Sequence, residues 1–389
     1  MLESRFGISI KTLQNFEEIL AEELREIGAT DINIARRIVH CRGDLELVYK
    51  ANYCLRTALR VLLPVAAFNI KKADDIYDKA KKIDWTEFLD VDQTFAIDPN
   101  VQSTLYQHGH YASLKLKDAI ADVFTAKFQR RPNVDSESPD MLFHLHINED
   151  SVSISLDSSG QSLNRRGYRM SGGVSPLNEV LAAGMVMSTG WDGSVDFYDP
   201  MCGSATLALE ANMIAANIPA GYLRKEFGFM NWKNFEKPLW LEVKDQADSR
   251  IKKYEGNIYA IDNDPSQLRV AASNIKAADM QDDINLGLMD FFDLMPQSEK
   301  GMLLINPPYG ERIEQQDIND LYKAIGDHLK KNWSGHTCWI ISSNTSAVKS
   351  VGLKPSKKIS LINGTFPCTL MRFDLYSGSH KEFVISKKS

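Results

Sequence analysis

Leu303-Leu304-Ile305-Asn306-Pro307-Pro308-Tyr309-Gly310-Glu311-Arg312 begins as an apolar strand and cannot continue as one. Two consecutive prolines have no N–H to give a sheet, so the strand stops with its following carbonyls unpaired. Asn306 places a side-chain carbonyl beside the main-chain carbonyl of Pro307. Two acceptors that converge in this way suit a planar –NH2 group, and Tyr309 offers a face on which a base can stack. The bland alternative is a structural Asx-Pro turn. What favours a site is that three neighbouring strand ends also carry ligand-type residues.

Around this stretch strands and helices alternate regularly. Strands are predicted at Val195–Tyr198, Ile258–Ile261, Ile284–Leu288, Met302–Ile305 and Thr337–Ser342, with helices filling most of the gaps. A last pair, Ile359–Ile362 and Thr369–Tyr376, is close enough in sequence to be antiparallel. Ser175 reads as an N-cap with Pro176 at the first helical position, opening a helix through Met187. The pattern predicts an α/β, doubly wound, mostly parallel sheet, in which ligands sit at the carboxyl ends of the strands.

Upstream, the polar run Asp157 to Asn164 marks a domain boundary. The half before it mixes elements without regular alternation, as α+β modules do. Phe16, Ile19, Leu20, Leu24 and Ile27 share one helical face that Gly28 terminates, and Ile34 to Val48 reads as one or two short strands. Helices are expected near 50–60, 72–82 and 113–128, and strands near 93–98, 141–147 and 152–156.

The composition bounds the function. The chain has 389 residues, 43% hydrophobic and 25% charged, with 45 Lys plus Arg against 51 Asp plus Glu for a net charge of −6. That excludes bulk disorder, and it requires any nucleic-acid binding to use a local patch. Five scattered cysteines fit a reducing compartment, and none pairs with Cys or His at zinc-site spacing. The start lacks a signal peptide's apolar core, and Val61 to Phe68 is too short to span a bilayer. A cytoplasmic protein without membrane or metal partners is expected.

The other strand ends are weaker alone. Tyr198-Asp199-Pro200-Met201-Cys202-Gly203-Ser204-Ala205-Thr206 leads into an apolar helix, and small residues there serve either a tight turn or close approach to a ligand. No Lys-Ser/Thr ending follows, which argues against a triphosphate-binding loop. Ile261-Asp262-Asn263-Asp264-Pro265 offers Asp262 to ribose hydroxyls, with Asp264 before Pro265 better suited to a helix N-cap. Leu288-Met289-Asp290-Phe291-Phe292 offers an acceptor and an aromatic to an adenine, or simply a turn Asp beside core rings.

Asn306-Pro307-Pro308-Tyr309 resembles motif IV of S-adenosylmethionine-dependent amino methyltransferases. Extended to Arg312 and joined with Asp199 to Ser204, it resembles the THUMP-domain RNA guanine-N2 methyltransferases, in particular bacterial enzymes acting on 23S rRNA. Arg56 to Arg60, Leu116 to Ile120, Ser162 to Arg169 and Ser175 to Glu179 extend the resemblance over nearly the whole chain. It implies a ferredoxin-like segment at 1–50, a THUMP RNA-binding domain at 51–160 and a Rossmann-like class I methyltransferase domain at 161–389. Asp199, Pro200, Cys202, Gly203, Ser204, Ala205 and Thr206 would then wrap the methionine end of S-adenosylmethionine, with Ser175, Pro176, Leu177 and Asn178 on its other side. Asp262 and Asn263 would hold the ribose, and Asp290 with Phe291 the adenine. Asn306, Pro307, Pro308 and Tyr309 would hold the target base. Ala205 stands where the family usually has Gly, although a Cβ disfavours positive φ. Longer relatives carry a second methyltransferase domain; one activity is expected here.

For RNA, Lys115, Lys117, Lys127, Arg130 and Arg131 lie within seventeen residues containing only Asp118 and Asp122, a local net of +3. They form a phosphate-binding patch or a solvated helix face. Arg165, Arg166 and Arg169 flank Tyr168 without an acid nearby, which favours RNA or interdomain contact; Arg56 and Arg60 join the list through the resemblance. The partner expected is 23S rRNA or its precursor particle, with tRNA the alternative. A DNA adenine-N6 enzyme would share the amine-binding motif, and a non-catalytic ribosome-assembly protein would need only the RNA surface. The four histidines between His108 and His146 lack a metal partner set and read as ordinary core or surface residues.

Overall fold

The computed structural model describes residues 5–106, 108–170, 177–308 and 315–376. Ser175, Pro176 and Tyr309 lie outside them. The chain divides into two units, the first made of residues 1–12, 21–163 and 224–246, the second of 13–20, 164–223 and 247–389.

Eight strands form the first unit's sheet: β1 (Phe6–Thr12), β2 (Thr30–Ala35), β3 (Ile38–Gly43), β4 (Ala58–Asn69), β5 (Thr94–Gln102), β6 (Asn133–Val134), β7 (Met141–Asn148) and β8 (Ser151–Asp157). Their order is β2-β3-β1-β4-β8-β7-β5-β6. The helices are α1 (Glu17–Glu26), whose first residues belong to the second unit, α2 (Leu45–Cys54), α3 (Asp75–Ala80) and α4 (Gly109–Phe128). β4 is the joint of the sheet. Its first residues pair with β1, matching Ile10 to Val61, and the rest pair with β8, with a register shift at Pro64, where a missing N–H is tolerated.

Two sequence expectations change here. The helix expected near 50–60 is instead α2 followed by β4, because Val61, Leu62 and Leu63 are buried together in a strand that pairs with both β1 and β8. A division at residue 50 would fall inside α2, and strands from both expected modules share one sheet. Residues 224–246 also return to this unit, carrying most of α7 (Lys237–Asp248). There the Trp240 ring meets Tyr53 edge-on at 5.3 Å, and Arg224 donates to the carbonyls of Ser159, Gln161 and Ser162.

Seven strands form the second unit's sheet: β9 (Asp196–Asp199), β10 (Ile258–Asp262), β11 (Ile284–Leu288), β12 (Gly301–Ile305), β13 (Thr337–Ser342), β14 (Lys357–Asn363) and β15 (Phe366–Asp374). The order is β11-β10-β9-β12-β13-β15-β14, with β9 to β13 parallel and the last two antiparallel. After β9 the chain adds β10 and β11 on one side and β12 onward on the other, so the topological switch lies at the carboxyl end of β9. The covering helices are α5 (Glu179–Thr189), α6 (Thr206–Ala215), α8 (Pro265–Ala277), α9 (Gln315–Asn332) and α10 (Thr345–Lys349). α5 starts at Glu179 and is capped by Asn178, whose Oδ1 accepts from Leu181 N at 3.1 Å.

Candidate active site

A cleft of about 640 Å³ opens at the carboxyl ends of β9, β10 and β12. Of the residues expected at a cofactor, Leu177, Pro200, Cys202, Gly203, Ser204, Thr206, Asp262, Asn263, Asp290, Phe291 and Asn306 line it, together with Pro308 from the expected base-binding set. Asn178, Asp199, Ala205 and Pro307 do not: Asn178 is spent as a helix cap, and Asp199 and Ala205 are wholly buried. Met201, within the expected cofactor loop, also lines it, and Leu207, Gln267, Phe292 and Leu321 line it unannounced by the sequence.

The loop from Pro200 to Ala205 is held from several sides. Gly203 takes φ +53° and donates its N–H to Asp262 Oδ2 at 2.8 Å, while Asp262 Oδ1 accepts from Asp264 N at 2.9 Å. Each Asp262 oxygen keeps a second lone pair for a hydroxyl. Ala205 sits at φ +61° as the α6 N-cap residue, where glycine would be strain-free; the left-handed conformation costs about 1–2 kcal/mol with a Cβ. Buried Asn274, on α8, fastens the loop by donating to Ser204 O at 3.1 Å and accepting from Met170 N at 3.2 Å.

The run Arg165 to Arg169 braces this loop, and most of it is not an RNA surface. Arg166 and Tyr168 are buried, and both donate to Glu210 Oε1 on α6, at 3.3 and 2.9 Å. Arg169 donates to Glu179 Oε1, the carbonyl of Leu177 and Thr206 Oγ1. A buried acid in the apolar helix α6 needs cationic and hydroxyl partners, and this run supplies them. Only Arg165 of the four is exposed.

In the first unit Arg60 is likewise structural. It donates to Asp157 Oδ2 at 2.6 Å and to Gly160 O at 2.7 Å, and Asp157 also meets His144 Nε2 at 2.8 Å. Burial pushes the Asp157 carboxyl up, yet His144 and Arg60 together hold it below its ordinary value. Arg56 is half-buried in the turn between α2 and β4, its N–H on Glu23 Oε1. The α4 cluster stays at the surface, but Lys115, Lys117, Lys127 and Arg130 pair with Asp74, Asp118, Asp84 and Asp92. Arg131 is exposed.

Two features of the cleft fit S-adenosylmethionine. Gly203 leaves its Cβ position open, with no atom nearer than Gln267 Oε1 at 3.9 Å. Asn306 Oδ1 is buried with no hydrogen-bond partner among the described residues, so an acceptor stands ready where β12 ends at the cleft. Burial first, and then the Asp262 charge, push the Asp199 carboxyl well above the usual range. The Cys202 thiol is pushed up by burial and by the same two carboxylates, which removes it as a thiolate nucleophile. At the adenine end Asp290 accepts from Phe292 N and Asn263 Nδ2. Phe291 is only 3% exposed, so the ring with a face open to a base is its neighbour Phe292, 37% exposed, although both pack on His328. No described helix is long and apolar enough to cross a membrane, and no metal-binding cluster exists among the described residues.

Residues 166–372 match the family described as RMKL-like, methyltransferase domain; residues 71–157 match the THUMP domain and 8–62 the RlmL ferredoxin-like domain. A Synechocystis protein named provisionally as an RNA methyltransferase is 36% identical over 93% of this chain and 95% of its own. Ribosomal RNA large subunit methyltransferase K/L of Marinomonas is 34% identical over 98% of this chain and 54% of its own, so the chain spans about half the length of that relative. The crystal structure of SMU.472, named provisionally as a methyltransferase and complexed with SAH, superposes with a TM-score of 0.87 at 25% identity, covering 97% of this chain and all of that one.

Proposed function

We propose that this chain, which belongs to the RMKL-like methyltransferases with ferredoxin-like and THUMP domains, methylates the exocyclic N2 amine of a guanosine in 23S rRNA. The observation that carries the reading is Asn306: it closes β12 at the cleft, its Oδ1 is buried with no partner among the described residues, and Pro307 follows with no N–H. A guanine amine is a poor nucleophile because its lone pair is delocalised into the ring. Asn306 Oδ1 and the Pro307 carbonyl each accept one amine hydrogen, which localises the lone pair toward the cleft.

S-adenosylmethionine, when bound, supplies an electrophilic methyl on its sulfonium sulfur. The loop Pro200 to Thr206 would hold its methionine end, Asp262 its ribose, and Asp290 with Phe292 its adenine. Positioning supplies much of the remaining acceleration. The methyl would pass to the amine nitrogen as its bond to sulfur breaks and the electron pair stays on sulfur, leaving SAH; the methylated amine would then release one proton to solvent, so no strong base is needed. Tyr309 would stack on the extruded base, and the first unit would hold the RNA in the cytoplasm, where ribosomal precursors assemble.

The test uses RNA from a strain lacking the gene, with ribosomal and transfer RNA incubated separately with labelled S-adenosylmethionine and their nucleosides separated by mass. N2-methylguanosine confined to the large ribosomal RNA is the expected result. Label in transfer RNA alone would overturn the substrate, and methyladenosine in either would overturn the base.

A further inference from the structure

From His328 to Phe373 the chain runs 46 residues without one Asp or Glu while carrying seven Lys or Arg, in a protein whose acids outnumber its bases. The structure gathers most of these cations at one margin of the second unit. Lys349 ends α10, Lys354 lies in the following loop, and Lys357 and Lys358 open β14, the edge strand; all four are exposed. Lys349, Lys354 and Lys358 have no carboxylate partner among the described residues, and Lys357 lies over the Trp339 ring at 5.9 Å.

The sheet register then fixes where this margin leads. Ser342, at the carboxyl end of β13, pairs with Thr369 of antiparallel β15. The β14–β15 turn therefore lies at the same end of the sheet as Asn306 and the cleft. At that turn Phe366 is 55% exposed, a large ring facing solvent. β14, seven residues long, spans about 20 Å between the lysines and the ring.

Local needs explain single lysines: a cation at a helix C-terminus complements its dipole, and lysines on an edge strand discourage intermolecular pairing. Neither need excludes acids over 46 residues. A cluster of exposed cations with an exposed aromatic about 20 Å further along the same edge suits a single strand, with phosphates on the cations and a base several nucleotides on stacked on the ring. We propose that the β14 margin is a second RNA-contact surface, on the methyltransferase unit itself, which guides a single-stranded segment of the substrate toward the cleft. It rests on the RNA reading above and adds a binding surface to it.

The experiment compares the full chain with Lys349→Glu/Lys354→Glu/Lys358→Glu, the matching Lys→Gln triple, and Phe366→Ala. The probe is a labelled single-stranded RNA of about 24 nucleotides, long enough for more than one binding element, followed by anisotropy over a salt series without cofactor. SAH affinity and melting temperature, matched to the parent, establish that each variant is folded. The Lys→Glu triple should weaken binding about tenfold or more, and the Lys→Gln triple should flatten the salt dependence by about 2 in slope, three phosphate contacts at ~0.7 each. Phe366→Ala should weaken binding roughly fivefold with an unchanged slope. Unchanged affinity and slope in both triples would overturn the surface. So would loss of binding to phosphatidylserine vesicles with RNA binding intact. Because turnover is not read, tight lysine-dependent binding with no methylation leaves the surface standing and refutes the proposed function instead.

Discussion

Replacing Glu210 by alanine should destabilise the second unit severely without touching a substrate. The carboxylate is fully buried on α6, and its Oε1 accepts from the Arg166 guanidinium and the Tyr168 hydroxyl. Removal leaves the Arg166 charge buried without its counter-ion, a change that costs about 3–5 kcal/mol. In a unit of roughly 200 residues each kcal/mol is about 2–4 °C, so melting should fall by about 6–20 °C. Tyr168→Phe alone, which removes one hydrogen bond to a charged acceptor, should cost about 1.5–3 kcal/mol. The triple Arg166→Met/Tyr168→Phe/Glu210→Leu removes all three polar groups together and should recover much of the loss, since no lone charge remains. Differential scanning calorimetry of the parent, Glu210→Ala, Tyr168→Phe, Arg166→Met and the triple tests this, with RNA affinity measured beside it. The reasoning is refuted if Arg166→Met melts like the parent and binds RNA more weakly, because Arg166 would then face the ligand and not Glu210.

Asp199→Asn tests the buried acid. Its raised carboxyl keeps a proton in the native state that the unfolded chain has released above about pH 4, so wild-type stability falls as pH rises from there toward the raised value. The variant should match the parent near pH 4 and melt increasingly higher toward pH 8; a gap independent of pH would contradict this. Arg60→Met should cost the first unit about 1.5–3 kcal/mol at neutral pH by removing a charged hydrogen bond. It should also move acid unfolding to higher pH, since Asp157 contributes stability above its ordinary value and loses it as pH falls through its lowered one. Urea titrations at several pH values would show whether both shifts occur. Asn274→Leu strands Ser204 O and Met170 N, a loss of about 1–3 kcal/mol, and should weaken SAH binding in calorimetry by about tenfold; unchanged affinity would mean the loop holds its shape without Asn274.

The parallel sheet was legible because its strand ends punctuate themselves: Pro307-Pro308 stops β12, and Asp264-Pro265 opens α8 with Asp264 as its cap. β4 was not legible, since Arg56 to Arg60 shows no alternation and its strand character comes from pairing with β1 and β8. The arginine run misled for a related reason. Its acceptor Glu210 lies 44 residues from Arg166, and only contact across the fold turns an apparent RNA patch into a brace. A signal was present, because Glu210 is the one charged residue in the apolar helix Thr206–Ala215 and needs partners there. Lys115, Lys127 and Arg130 repeat the lesson, as their acids sit on segments far upstream. Ala205 shows the reverse: the loop keeps its left-handed turn, φ +61°, despite the Cβ.

Asn306 carries the proposed chemistry, and the most direct measurement is single-turnover methyl transfer by Asn306→Ala at saturating S-adenosylmethionine, with SAH affinity determined in parallel. SAH should still bind, while transfer should fall by about 10²–10³-fold, the usual loss when one positioned hydrogen-bonding group is removed from a reacting centre. Transfer at the parental rate with the cofactor site saturated would contradict the account, because the amine would then be held and activated by something other than the end of β12.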